Sequence, residues 1–374
     1  MSDLQSSMND QRNPVRREFL RSAAAAGLGL ATGGAVEKTA TPPPATPERP
    51  GAPTGDPIPL RQFGRADVKV SALGMGGHHL GDFKTIEEAI AAVHEAIDGG
   101  ITFFDNCWEY HNGKSENWLG RALLGRRDKV FLMTKVCTHG RSAELAMEML
   151  EQSLIRLQTD HLDLWQIHGV TFDNDPELAY RKGGVIEALE QAKKAGKVRF
   201  VGFTGHKDPA IHLKMIQMGY PFDAVQMPLN PFDGNFHSFE RQVIPEARKR
   251  GFAVLGMKPM NGTAEAIKKG VFKPEEMLRY AMSLPVTTTI AGIDTLDVLR
   301  QNLKVAQGFT PMAAAEMDDL RKRCADAAGD GRFELYKMSL KYDNPQAREP
   351  HHFPLDPTIK EVKDMFKGVM SASP

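Results

Sequence analysis

Between an apolar run that ends at Phe104 and a helix-like pattern that starts near Ser115, the chain places Asp105, Cys107, Trp108, Glu109, Tyr110 and His111 in one short loop. Further on, Lys135 sits inside the apolar stretch VFLMTKV, and His168 ends the stretch LDLWQIH. A cation in an apolar strand must be paired, or its pKa falls. Asp105, on the preceding strand-like run, is the natural partner. A lysine held charged beside Tyr110 favours the phenolate and lowers a pKa that starts near ~10. Such a tyrosine can donate a proton to a developing alkoxide. His168 can donate a hydrogen bond to the same oxygen and orient the carbonyl. The set is a proton donor with its tuning groups, and it lacks a hydride, which a reduced nicotinamide would have to supply.

These residues need a scaffold that brings strand ends together. From Leu60 onward, short apolar runs alternate with helical patterns. RQFGRADVKVSAL reads as a two-stranded hairpin about a Gly-Arg turn. Strands are expected at SALGMGG, ITFFDN, VFLMTKV, LDLWQIH, VRFVGFTG, DAVQMPL, FAVLGMK and TTTIAGI. Helices are expected near 85–99, 115–125, 142–158, 183–195, 208–219, 240–250, 274–283 and 295–306. Several close on glycine, as in AIDGG and KKAGK, which is ordinary C-cap chemistry. Strictly alternating units call for a parallel sheet, and eight of them in ~250 residues fit an α/β fold of the (β/α)8 TIM barrel type. A doubly wound sheet would carry a G-x-G-x-x-G turn after its first strand, and GMGGHHLG lacks that spacing. The reading is therefore a barrel over residues 58–310, an N-terminal β-hairpin, and a C-terminal extension over 311–374 that could cover one mouth as a lid.

In such a barrel, chemistry sits at the C-terminal strand ends. Those ends carry His78, His79, Asp105, Lys135, His168, Thr204, His206, Gln226, Lys258 and Asp294. Any single one of them could be a hydrogen-bonded structural residue. So many at one end of one barrel are harder to dismiss.

FFDNCWEYHNGKSENWLGRAL resembles the aldo-keto reductase pattern: an Asp, then a Tyr, then Gly-x-Ser-Glu opening a helix that carries Leu-Gly. MTKV and WQIHG resemble that family's Lys and His strands, and the hairpin with ALGMGG resembles its plugged barrel start. The resemblance covers roughly residues 58–310. It implies Asp105, Tyr110, Lys135 and His168 as a catalytic tetrad, Tyr110 as general acid, and an NADP or NAD cofactor. It also implies Thr204, Gln226, Met257, Lys258, Gly292 and Asn302 as cofactor contacts. The chain departs from the pattern in places. Thr204-Gly205 stands where the family has Ser-Asn, and Met257 where many members have an aromatic residue. Gly292, Ile293 and Val298 stand where binders of the 2′-phosphate present basic residues, and Asp294 and Asp297 would repel that phosphate. His78, Trp108, His111 and Phe232 are expected walls of a pocket for a small carbonyl substrate, although Trp108 fits plain loop packing equally well.

Other readings use the same residues. His78, His79, His168, His206 and Asp294 could serve a metal-dependent hydrolase on the same barrel. His78 and His79 are consecutive, however, and lack the alternate spacing that puts two side chains on one strand face, so no metal is expected. Cys107, His111, Cys137 and His139 could make a tetrahedral zinc site, Cys107 and Cys137 could pair in an oxidising compartment, or both thiols could be buried and unpaired. A barrel that has lost catalysis and binds a ligand or partner is disfavoured by the complete tetrad.

The bulk numbers exclude other classes. The chain has 374 residues with 47 basic and 47 acidic side chains, so no net charge points to nucleic acid or anionic lipid. Three cysteines are too few for a disulfide scaffold. Over residues 1–35, Arg16-Arg17 precedes an Ala/Gly/Leu run, as in a twin-arginine signal recognised by the export machinery. That run is too short and glycine-rich to span a bilayer in the mature chain. Export to the periplasm is the expectation. Residues 36–57 are proline-dense and read as a stiff, extended linker.

Overall fold

The computed structural model describes residues 56–136 and 142–339. Arg16-Arg17 with its apolar run, nearly all of the proline-dense linker, Cys137, His139 and the KYDNPQAREPHHFP segment lie outside the described residues.

The hairpin forms first in the chain. Strand β1 (Leu60–Gln62) pairs antiparallel with β2 (Lys69–Ser71). Its turn includes Gly64 at φ 55°, where a Cβ would stand 2.6 Å from the backbone of Gly251 and Ala253, so only glycine lets the turn lie against the barrel end. Phe63 drives the hairpin inward. It is 1% exposed, and its ring centroid is 4.7 Å from that of Phe131 and 5.1 Å from that of Phe200. Burying one such ring contributes about 1.5–3 kcal/mol. The hairpin is thus a floor to the barrel.

Eight parallel strands close above it: β3 (Leu73–Gly76), β4 (Phe103–Asp105), β5 (Phe131–Val136), β6 (Leu162–Ile167), β7 (Val198–Thr204), β8 (Ala224–Pro228), β9 (Ala253–Met257) and β10 (Thr288–Gly292). They pair in chain order, and β10 returns to β3. The period of two sorts their side chains. In β5, Phe131 and Met133 join the inner cluster with Phe63, Phe103 and Leu164, while Leu132 and Val136 join the outer core beneath the helices. Lys135 falls on the inner phase. Both faces of the strand are buried, which is why it reads as one continuous apolar run.

The helices wrap the outside: α1 (Ile86–Asp98), α2 (Lys114–Ala122), α3 (Ala143–Leu157), α4 (Asp175–Tyr180), α5 (Val185–Lys194), α6 (Pro209–Gln217), α7 (Phe239–Lys249), α8 (Glu265–Lys268), α9 (Pro274–Ser283) and α10 (Leu296–Gln307). Side-chain caps set several starts. Thr85 accepts from Glu88 N, Ser142 from Leu145 N, Ser238 from Arg241 N and Thr295 from Val298 N. The chain continues into α11 (Ala314–Ala328) and α12 (Leu335–Met338). Helix α12 is held at the β8 side of the mouth by buried charge. Lys337 Nζ lies 2.7 Å from Asp233 Oδ1 and 3.0 Å from Glu334, and Tyr336 OH accepts from Asn230 Nδ2 at 3.0 Å. No described helix is long and apolar enough to cross a membrane.

Candidate active site

Strands β4 and β5 lie side by side, which brings Asp105 next to Lys135 inside the barrel top. The two side chains are 4% and 1% exposed, and Lys135 Nζ is in direct contact with Asp105 Oδ1. The same ammonium donates to Asn106 O at 2.8 Å and to Tyr110 OH at 3.2 Å. A charged lysine has three protons and no acceptor, so all three are spoken for. The Tyr110 oxygen therefore receives a hydrogen bond from Lys135, and its own proton is left to point elsewhere. Asp105 is held from the other side by Gln226, whose Nε2 donates to Oδ2 at 2.8 Å.

The sequence expectation for Tyr110 needs correcting. Its pKa is pushed up, not down. Burial is the largest cause; Lys135 pulls the other way and only partly offsets it. Lys135 moves up as well, because Asp105 and its other neighbours outweigh the cost of burial.

Tyr110 is delivered by an unusual backbone. His111, Asn112 and Gly113 stand in sequence at φ 51°, 55° and 85°. This left-handed turn carries the chain from β4 into α2, and at Gly113 a Cβ would meet the Arg156 guanidinium at 2.6 Å. The Gly-x-Ser-Glu pattern then acts locally. Ser115 donates to Gly77 O at 2.6 Å, tying the β3 loop to α2. Glu116 is fully buried, accepts from Thr134 Oγ1 at 2.6 Å and meets Arg156 at 3.3 Å.

His168 stands beside the tyrosine, with ring centroids 6.0 Å apart. Its Nδ1 is 2.8 Å from Glu109 Oε1 and 3.1 Å from Cys107 Sγ. Sequence reasoning assigned Glu109 no role. Its position between Trp108 and Tyr110 gave no hint that the loop turns it toward β6. Cys107 is buried with a free thiol whose pKa burial pushes up.

The expected pocket walls divide. His78 stands edge-on to Tyr110 at 5.1 Å, and His111 binds the His78 carbonyl through Nε2 at 2.8 Å. Trp108 instead rests on α3: its N–H reaches Gln152 at 2.9 Å and the Arg156 guanidinium lies 5.2 Å over its ring. Phe232 is buried against Phe272 and Phe333. The strand-end histidines do not converge as a hydrolase centre requires. Among the described residues, the groups with metal-ligand geometry are His78–Asp82–His111 and Cys107–Glu109–His168. His111 is thus separated from Cys107, contrary to the zinc set considered from sequence.

The residues expected at the cofactor line the other half of the mouth. Thr204 ends β7, Gln226 stands on β8, Met257 ends β9 and Gly292 ends β10. Gln226 differs from expectation in being tied to Asp105, yet its Oε1 is buried without a hydrogen-bond partner. Lys258 follows β9 at φ 54°, with Nζ 5.5 Å from the Tyr336 ring centroid. Removal from water and then the Lys135 charge lower its pKa to about 8, against the pull of Asp105. Asn302 is buried on α10, and Arg300 is clasped by Glu95 at 2.7 and 3.0 Å.

The sequence model described as the Aldo/keto reductase family matches residues 72–270. An uncharacterized oxidoreductase, YqkF of Bacillus subtilis (strain 168), is 26% identical over 286 residues, covering 66% of this chain and 90% of that protein. The holo form of aldo-keto reductase AKR11C1 from Bacillus halodurans superposes with a TM-score of 0.62 at 25% identity, over 74% of this chain and 99% of that one. An aldo/keto reductase from Klebsiella pneumoniae, in complex with NADP and acetate, shares the fold with a TM-score of 0.59 at 21% identity, over 70% and 94% of the two chains. With more than half of its length matched, and with the closed barrel and its plugged floor in place, the chain belongs to the aldo/keto reductase family of oxidoreductases.

Proposed function

We propose that this oxidoreductase uses NADPH or NADH to reduce an aldehyde or ketone to an alcohol, with Tyr110 as general acid. The carrying observation is the three-way commitment of Lys135 Nζ to Asp105, Asn106 O and Tyr110 OH, which leaves the phenolic proton facing away from the ammonium. A bound reduced nicotinamide supplies the hydride. As the carbonyl oxygen gains charge, Tyr110 gives up its proton, and the phenolate is left against a lysine already in hydrogen-bond contact. His168, beside Tyr110, orients the same oxygen. Asp105 and Gln226 keep the ammonium in place.

The mouth fits a nicotinamide. The buried, unpartnered Gln226 Oε1 is an acceptor suited to a carboxamide N–H. Thr204, Met257 and Gly292 end the adjoining strands, and Lys258 supplies positive charge for the phosphates. The adenosine end gives no preference for a 2′-phosphate. Arg300 is engaged by Glu95, while Asp294 and Asp297 are exposed. In a fluorescence titration NADH is expected to bind at least as tightly as NADPH; a large preference for NADPH counts against this part of the reading. The dissociation constant for either nucleotide is expected to rise as pH passes about 8, where Lys258 loses its charge. Lys258→Met should flatten that profile. Aldehyde-dependent oxidation of the bound nucleotide tests the reaction itself, and no binding of either nucleotide would sink it.

The N-terminal Arg16-Arg17 pattern supports export of the folded protein to the periplasm. Fractionation should find the mature chain there, and an Arg16→Lys/Arg17→Lys protein retained in the cytoplasm.

A further inference from the structure

Three different metal-ligating side chains meet at the flank of His168. Cys107 Sγ lies 3.1 Å from Nδ1, Glu109 Oε1 lies 2.8 Å from the same nitrogen, and the three ligand atoms lie within 4.8 Å of one another. Zinc bonds of ~2.3 Å to sulfur and ~2.0–2.1 Å to nitrogen or oxygen require tetrahedral edges of about 3.3–3.6 Å. The cluster needs to open by only about 0.5 Å at the two measured edges. Nothing in the proposed reduction uses the thiol, which is buried and held protonated. The nearest opposing charge, Lys135, is already neutralised by Asp105.

We propose that Cys107 Sγ, His168 Nδ1 and the Glu109 carboxylate form a three-ligand site for a thiophilic divalent cation of the zinc class. On loading, the thiol proton leaves to solvent, the imidazole gives up the Nδ1 proton that Glu109 accepts and carries its one remaining proton on Nε2, and Glu109 exchanges the imidazole for the metal. The fourth position is left for water. The expectation of no metal rested on the strand-end histidines; it did not include Glu109. The His78–Asp82–His111 group is the weaker candidate. It has no sulfur, His78 and Asp82 are exposed, and His111 Nε2 is already held to the His78 carbonyl.

The test uses the full chain, reduced, stripped of metal and titrated anaerobically with Co2+, followed by Zn2+ competition against a chromogenic chelator. Binding is read without turnover, so the result is independent of the role of Tyr110. One equivalent of Co2+ should give four-coordinate visible bands and a thiolate-to-cobalt charge-transfer band, which Zn2+ abolishes. Cys107→Ser should remove that band. Glu109→Gln should keep it and weaken Zn2+ binding on the order of tenfold or more. The absence of saturable binding, a cobalt spectrum without thiolate character, or a band that survives Cys107→Ser would each overturn the site. If Cys107→Ser does not fold, as judged by circular dichroism, Glu109→Gln decides: unchanged Zn2+ affinity also overturns it.

Discussion

Tyr110→Phe is expected to lower kcat for carbonyl reduction by about 10²–10⁴-fold, the usual contribution of a positioned general acid. The substitution removes one oxygen and its proton and leaves the ring in place. Lys135 keeps Asp105 and Asn106 O as partners. The expected nucleotide affinity is therefore that of the unaltered protein, and the loss falls on kcat and kcat/KM together, as for an interaction made only in the transition state. Stopped-flow mixing of the loaded variant with an aldehyde measures the step directly. A variant that keeps full turnover would remove Tyr110 from the mechanism and direct attention to His168.

The second large effect concerns stability. Lys135→Met takes the cation from a pair that is almost wholly out of water and leaves Asp105 with the Gln226 amide as its remaining described side-chain partner. Breaking a buried pair from one side costs about 3–5 kcal/mol, because an uncompensated charge stays behind. Equilibrium urea unfolding should show that loss. The double variant Asp105→Asn/Lys135→Met should recover much of it, since neither charge remains to be desolvated. Simple additivity of the two single losses would mean that the contact carries no coupling.

The fold was legible to the extent that its signals are local. The alternation of apolar runs and helical stretches, Thr85 before α1, and Ser142 before α3 are each readable within a few residues. The expected helix over 115–125 instead runs from Lys114 to Ala122, and α4, α8 and α12 are too short to show a period. Helix α11 falls in the stretch expected only as a C-terminal extension, although Met317, Leu320, Cys324 and Ala328 recur at helical spacing and Gly329 follows. The Asp105–Lys135 contact was legible because the two strands are neighbours: Asp105 stands opposite Met133, one inward position before Lys135, and the long lysine side chain spans the offset. What stayed hidden depends on distance or burial. Asp233 and Lys337 meet across 104 residues with no local pattern to announce them. The direction of the Tyr110 shift turns on a balance between desolvation and one cation, and no sequence states which is larger. Glu109 meets His168 across 59 residues, a contact that no local pattern announces.

The seam where β10 returns to β3 has a consequence for how the molecule is made. Leu73 must find Thr289, and Arg61 reaches the carbonyls of Val286 and Met282, 225 and 221 residues later in the chain. At ribosomal speeds of ~5–20 residues per second, the first barrel strand waits roughly 10–40 s for its last neighbour. Closing so long a loop is the slow, entropically costly part of assembly. During that interval β3 presents an open edge, the kind of surface on which chains stick to one another. Here the edge is four residues long and half glycine, Leu73-Gly74-Met75-Gly76, too short and too bare a template to recruit a stranger before its own partner emerges.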